Sequence, residues 1–323
     1  MGRVTKWIGI GFLGLIGLLV IAVVIVYALT SRRMSKTYAV NDPPLAIPTD
    51  SASIAKGQHF VQSIAKCATC HGDDFAGKVV IDDAVMGRLY SANLTRGEGG
   101  IGASYKDVDY VRAIRHGVAR NGHPLLFMPT DAFYSMSDTD LANTIAYLKT
   151  LPAVDAVVPT KRIGPLARAL FLTTGFPLIP AERVPVNGPR PADVPAGPTR
   201  EYGLYLATTG GCRSCHLQDL SGGVPIAGNV LSANLTPMGI GNWSEADFRK
   251  ALRNGIRPDG RVLSAVMPWP YTRFMTDDET KTYAVNDPPL AIPTDSASIA
   301  NTHGFCGLNT RATGRIALVF VRE

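Results

Sequence analysis

The sequence predicts an all-α chain in which one membrane-spanning helix is followed by two helical units of the same design. Three observations carry that expectation: an uncharged apolar run near the N-terminus, an internal repeat at an almost constant offset, and helical spacing of apolar residues with hardly any strand-like alternation. At 323 residues the chain is long enough for two cores and a membrane segment. Its formal charge of +6 includes no long Lys/Arg run and no interleaving of basic and aromatic residues, which argues against nucleic acid as a partner.

Residues 7–30 hold no charge and are numerous enough, as a helix, to cross a hydrocarbon core about 30 Å thick. The apolar region of a cleaved signal is shorter, about 7 to 15 residues, and the small-residue cleavage pattern here is weak. Residues 1–34 are therefore expected to stay as a membrane anchor. Arg3 and Lys6 precede the span while Arg32, Arg33 and Lys36 follow it, so charge alone does not set its orientation.

After the anchor, residues 51–152 and 200–280 read as two versions of one unit. CATCH at Cys67 to His71 answers CRSCH at Cys212 to His216, SANLT at Ser91 answers SANLT at Ser232, and Gly-Ile-Gly at Gly100 answers the same triplet at Gly239. Tyr105, Asp109, Tyr110, Ala113, Arg115 and Gly117 then answer Trp243, Asp247, Phe248, Ala251, Arg253 and Gly255, the pattern of an amphipathic helix stopped by glycine. Helical periodicity recurs over 54–65, 108–116 and 138–151. The units are expected at 35–154 and 200–280. Between them, residues 155–199 are rich in proline, including Pro185, Pro189, Pro191, Pro195 and Pro198; this predicts an extended linker, helical only over 166–174.

Cys-x-x-Cys-His is the attachment pattern of c-type haem: two thiols about one helical turn apart reach neighbouring vinyl groups, and the adjacent imidazole meets the iron. Cys67, Cys70 and His71 form one such site and Cys212, Cys215 and His216 another, so two covalently bound haem c groups are expected. A redox Cys-x-x-Cys would need a βαβ setting, and zinc would need its cysteine pairs much closer together. For the sixth iron ligand each unit offers two methionines. Met136 and Met275 precede capping boxes, Ser137 with Asp140 and Thr276 with Glu279, and fit a packing role. Met128 and Met267 sit in Met-Pro loops able to aim a thioether sideways, and are the expected axial ligands.

His116 and His123 could offer bis-histidine ligation in the first unit, but no histidine lies between His216 and His303, so a duplicated design works only through methionine. His116 is expected on the surface of a helix end. Arg115 and Arg253 read either as partners of haem propionates or as solvated helix-end residues. Asn93 and Asn234, although in glycosylation sequons, are expected to hold a loop. Histidine–methionine ligation closes the iron's coordination shell, which suits electron transfer more than substrate chemistry. The chain therefore reads as an electron carrier and not as an enzyme; a catalytic dihaem oxidoreductase of peroxidase or thiosulfate-oxidising type, or a haem-based sensor, is the alternative.

The combination of CxxCH, SANLT, GIG, the helix ending in Arg-x-Gly and the Met-Pro loop, over residues 51–280, resembles the cytochrome c subunits of membrane-bound bacterial dehydrogenases, of the kind that serve alcohol, gluconate or nicotinate oxidation. The resemblance implies two tandem cytochrome c domains. It further implies a periplasmic dehydrogenase catalytic subunit as electron donor and quinone or a terminal oxidase as acceptor. It places the chain in the bacterial cytoplasmic membrane as a single-pass protein with its haem domains in the periplasm. Such subunits often carry three haem domains after a cleaved signal, whereas this chain has two motifs and an apolar N-terminal segment.

One segment stands apart. KTYAVNDPPLAIPTDSASIA occurs at Lys36 to Ala55 and again, letter for letter, at Lys281 to Ala300, which ordinary repeat divergence does not produce. The copy begins where the first unit continues its closing helix, and it replaces that helix's apolar stripe. Residues 281–323, with the lone Cys306, are read as a recent duplication or an assembly error. The second unit is expected to lack its closing helix.

Overall fold

A computed structural model describes residues 2–174, 176–227, 230–264 and 266–281. The copied segment lies outside the described residues apart from Lys281. The first helix, α1, Arg3–Met34, turns nearly all its apolar side chains outward and is long and apolar enough to cross a membrane. At 1.5 Å per residue its length is about 48 Å.

Helix α2, Ser51–His59, starts on Asp50, whose carboxylate accepts from Ser53 N at 2.9 Å. It runs into a single π-turn, Phe60–Ile64, and then α3, Ala68–His71. Strands β1, Val79–Asp83, and β2, Gly87–Tyr90, form a hairpin with a register shift between Val79 and Ile81. Helices α4, Asp107–His116, α5, Thr130–Phe133, and α6, Asp138–Leu148, complete this stretch. Strand β3, Arg162–Ile163, pairs antiparallel with β2 to give the sheet order β1-β2-β3. Helix α7, Pro165–Thr173, and a 3₁₀ turn at Pro180–Glu182 follow.

The second stretch follows a similar order, among the described residues without a π-turn and with one added helical turn at Pro237–Ile240. It comprises α8, Arg200–Thr209, α9, Cys212–His216, a ribbon of β4, Pro225–Ala227, and β5, Val230–Leu231, then α10, Pro237–Ile240, α11, Glu245–Asn254, α12, Trp269–Thr272, and α13, Asp277–Lys281. Small strands thus accompany a mostly helical fold; β1, the longest at 5 residues, buries Ile81 alone, and such strands are too short to alternate visibly in sequence.

Packing is organised by the crossing of α2 and α6. Gly57 makes it possible: a Cβ there would lie 1.9 Å from Asn143 O, so only a bare backbone lets the helices touch. Around the crossing lie Val61, Leu141 and Ile145, all fully buried, with Phe60, Tyr110, Phe133 and Met136. Tyr205, Leu206 and Met275 from the second stretch join the same core. Contact between the stretches is reciprocal: α5 packs on α8, and α12 packs on the π-turn.

The Pro-rich stretch differs from the expected spacer. The helix expected over 166–174 is α7, but it packs against α1, and Phe171, Phe176, Leu178 and Ile179 form a second core with Ile81, Leu89 and Val118. Arg168 Nη1 donates to Thr30 Oγ1 at 2.6 Å and to Ser31 Oγ at 3.0 Å, and Arg33 pairs with Glu182. Proline stops regular helix here without preventing burial of the apolar residues between the prolines.

Two further expectations are corrected. His116 is not at the surface: it is 2% exposed, with Nε2 2.7 Å from Asp42 Oδ2, and the other oxygen of Asp42 accepts from Arg190 Nη2 at 2.6 Å. Arg115 is not solvated: it is 3% exposed, its Nη2 donates to Met136 O at 3.2 Å and pairs with Asp138 at 2.5 Å, and its Nε is buried without a hydrogen-bond partner. Arg253 repeats this with Met275 O at 2.8 Å and Asp277 at 2.7 Å. In both stretches the arginine ties the Gly-stopped helix to the start of the last one.

Candidate haem sites

Each Cys-x-x-Cys-His segment is a single helical turn, α3 with Cys67 at its N-cap and α9, entered through a residue in left-handed conformation. In α9 that residue is Gly211, with φ 69°; before α3 it is Lys66, with φ 51°. Lys66 is held there by its ammonium, which donates to Ile64 O and Gly210 O, both at 2.6 Å. Three more left-handed positions match between the sites: Gly72 with Leu217, Phe75 with Leu220, and Gly77 with Gly222. A non-glycine residue at positive φ is uncommon, so its recurrence at Phe75 and Leu220 shows one backbone path used twice.

The SANLT loops explain that path. His71 Nδ1 donates to Ala92 O at 2.9 Å and His216 Nδ1 to Ala233 O at 2.7 Å. With the proton fixed on Nδ1, each Nε2 keeps its lone pair for a metal, the arrangement that orients a ligating histidine. Burial lowers the pKa of both imidazoles, against the opposing pull of the carbonyls, and favours the neutral form that ligation requires. Ser91 Oγ donates to Cys70 O at 2.6 Å and accepts from Lys78 N; Ser232 Oγ accepts from Val224 N. Asn93 Oδ1 accepts from both N and Oγ1 of Thr95, and its Nδ2 donates to Val154 O at 2.8 Å; Asn234 Oδ1 makes the same two bonds to Thr236. Sequence reasoning marked these asparagines as loop holders but missed the alanine carbonyls, because a backbone acceptor leaves no trace in residue type.

Burial pushes the Cys67 thiol up to about 12 and also raises Cys70. Such thiols are not the low-pKa thiolates of a dithiol redox site, which suits a structural or covalently modified pair. Cys67, Cys70 and Cys212 are partly exposed, whereas Cys215 and His216 are buried.

The Met-Pro loops also match. Thr130 N donates to Met128 O at 2.7 Å and Trp269 N to Met267 O at 2.8 Å, with Pro129 and Pro268 in the same conformation. Upstream, Leu125 N donates to Gly117 O and Leu263 N to Gly255 O, both at 2.6 Å. Met128 is partly buried against the core that Cys67 also lines, and Met267 is half-buried. Met136 and Met275, in contrast, are 1% and 4% exposed inside that core. Of the two expected boxes, Thr276 completes a reciprocal one with Glu279, whereas at Ser137 the backbone N–H donates to the Tyr205 hydroxyl.

The family model for cytochrome c matches residues 54–152. The chain carries a cytochrome c domain. It is homologous to the cytochrome c subunits of gluconate, alcohol and fructose dehydrogenases. Similar proteins include the gluconate 2-dehydrogenase cytochrome c subunit of Pantoea cypripedii, 39% identical over 24% of this chain and 20% of that protein. The cytochrome c subunit of the alcohol dehydrogenase (quinone) of Gluconacetobacter polyoxogenes is 29% identical over 71% of this chain and 54% of its own length. The fructose dehydrogenase cytochrome subunit of Gluconobacter japonicus is 38% identical over 65% and 46% respectively. This chain thus spans about a fifth to about half of the length of these relatives.

A cytochrome c domain implies covalently bound haem c, and the residues within the matched span fit it. Two thiols flank one helical turn, and the adjacent imidazole has its tautomer set by a backbone carbonyl. The Met-Pro loop packs on the core shared with Cys67.

Proposed function

We propose that this chain is a membrane-anchored dihaem cytochrome that relays electrons from a dehydrogenase catalytic subunit to quinone or a terminal oxidase of the respiratory chain. In this reading α1 crosses the bacterial cytoplasmic membrane once and both haem domains lie in the periplasm. The observation that carries two haems is the twofold occurrence of one ligand-orienting device, a histidine Nδ1 bonded to the alanine carbonyl of an SANLT loop, at His71 and at His216. The donor assignment rests on the names of the similar proteins.

Cys67 and Cys70 hold the first haem, with His71 and Met128 on its iron; Cys212 and Cys215 hold the second, with His216 and Met267. Bound haem supplies reversible one-electron chemistry at its iron. The protein's part would be to offer each iron a histidine and a methionine, to keep each imidazole neutral by burial and oriented by its carbonyl partner, and to shield the site from water. Closed coordination favours transfer without bond making, which separates a carrier from a peroxidase or a gas sensor.

The test is direct. Intact mass and pyridine haemochrome analysis should give two haems per chain, and the reduced protein should bind carbon monoxide only slowly. Met128→Ala and Met267→Ala should each lower one midpoint potential and open one haem to carbon monoxide. One haem per chain overturns the dihaem reading, rapid carbon monoxide binding by the unaltered protein overturns the carrier reading, and unchanged spectra in both variants overturn the ligand assignment. A reporter fused after Glu323 and active only in the cytoplasm would overturn the orientation.

A further inference from the structure

The segment after α7 carries a buried charge that the fold answers only loosely, through an ion pair to Asp131 with no hydrogen bond. The Arg183 side chain is 12% exposed, and its Nε, Nη1 and Nη2 are all buried without a hydrogen-bond partner. Asp131 Oδ2, at 3.9 Å from Nη2, is beyond hydrogen-bonding distance. The carboxylate next in sequence, Glu182, is taken by Arg33 and Tyr38. Guanidinium stays charged at any ordinary pH, and burying it unpaired is unfavourable unless an anion joins it.

The position of Arg183 says which anion. Together with Met128, Pro129, Asp131 and Pro180 it lines a cavity that Ser214 closes from the second stretch. The segment is fixed to the methionine loop: Phe127 N donates to Leu178 O at 3.0 Å, the Phe127 and Phe176 rings lie 5.6 Å apart, and Leu178 and Ile179 are each 1% exposed. Phe127 itself has φ 66°, a left-handed conformation retained beside the proposed ligand.

We propose that Arg183 binds a propionate of the haem held by Cys67, Cys70, His71 and Met128. The inference rests on the haem reading of the first site above. Met128, the proposed iron ligand of the first site, lines this cavity and Met267 does not, so a propionate here would belong to the first haem. Arg183 is then a haem-binding residue contributed by the Pro-rich stretch. Its fixed charge beside the propionate disfavours the oxidised, more positive iron and so raises that haem's potential.

The full-length holoprotein tests this through Arg183→Met, Arg183→Lys and Asp131→Asn, with spectroelectrochemical titration of both haems from pH 5 to 9. Arg183→Met should shift the oxidation equilibrium of one haem about tenfold toward the oxidised state, about 59 mV for one electron. It should also add a pH dependence across this range, as the released propionate titrates. The affected haem should be the one altered by Met128→Ala. Arg183→Lys should keep most of the potential but move the propionate bending band in resonance Raman spectra, a readout that survives if Arg183→Met fails to load haem.

Three results overturn the proposal: an unmoved propionate band in Arg183→Lys, an effect confined to the haem altered by Met267→Ala, or the same potential and pH profile in Asp131→Asn, which would make Asp131 the true partner. A purified chain carrying one haem, on Cys67 and Cys70, would sink the dihaem reading and leave this proposal standing.

Discussion

Asp42 is the residue whose removal has the most calculable consequence. Its side chain is 5% exposed and joins three distant parts of the chain: its own segment after α1, His116 at the end of α4 at 2.7 Å, and Arg190 of the Pro-rich stretch at 2.6 Å. Asp42→Asn keeps the shape and removes the charge. Removing one member of a buried ion pair costs about 3–5 kcal/mol, and the remaining amide oxygen recovers about 1 kcal/mol through one hydrogen bond. A net loss of about 2–4 kcal/mol follows, or roughly 4–16 °C in melting temperature for a domain of this size. Urea unfolding in mild detergent, followed by circular dichroism, should show a lower midpoint at an unchanged slope. The pH dependence adds a second check. Burial alone would raise the Asp42 pKa, but the hydrogen bond from His116 and the charges of His116, Arg190 and Arg115 outweigh it and hold the carboxyl below its usual range. The folded pKa therefore lies below the unfolded one, so the carboxylate's contribution is full above about pH 4 and is lost as pH falls through the folded value. The gap between the protein and its variant should narrow as pH falls below about 4. A difference below about 0.5 kcal/mol at pH 7, or one that stays constant down to pH 3, would refute the reasoning.

Gly57→Ala puts a methyl group 1.9 Å from Asn143 O, against backbone that cannot rotate away, and should cost at least the roughly 1–3 kcal/mol typical of overpacking; thermal unfolding and haem-loaded yield measure it, and unchanged values would mean α2 and α6 do not cross there. Arg115→Met removes hydrogen bonds between a buried charge and both Met136 O and Asp138, for a loss of about 1.5–3 kcal/mol. Asp138→Asn should cost less, because that carboxylate is 45% exposed, and the opposite ranking would count against the clasp. His59 hydrogen-bonds Glu279 at 2.8 Å, which raises the histidine's pKa despite burial. The contribution is full below about pH 6.5 and is lost as pH rises through the folded value. Glu279→Gln should thus destabilise more at pH 6 than at pH 9, and an equal effect at both would remove the ion pair from consideration.

Much of the helical framework was legible because local signals and tertiary structure agree. The apolar run became α1, and the periodic stretches over 108–116 and 138–151 became α4 and α6. The two motifs and their loops stood out because the chain states them twice. What stayed hidden depends on partners far apart in sequence. Nothing near His116 announces Asp42, so a polar residue at a helix end read as solvated. Prolines in 155–199 read as an extended spacer, while the few apolar residues among them, Phe171, Phe176, Leu178 and Ile179, decided its burial. The orienting acceptors Ala92 O and Ala233 O could have been reached only by asking why a short loop repeats unchanged beside a histidine.

The π-turn at Phe60–Ile64 bears on how the two halves diverged. Gly57 precedes Cys67 by one residue more than Gly203, also buried, precedes Cys212. The turn absorbs that surplus through the bond from Ala65 N to Phe60 O, five residues back, so that the crossing upstream and the attachment turn downstream both keep their place. Deleting one residue within 60–64 should relax the turn to ordinary α-helix, whereas a deletion of the same size in α6 would rotate the buried face of that helix away from its partner.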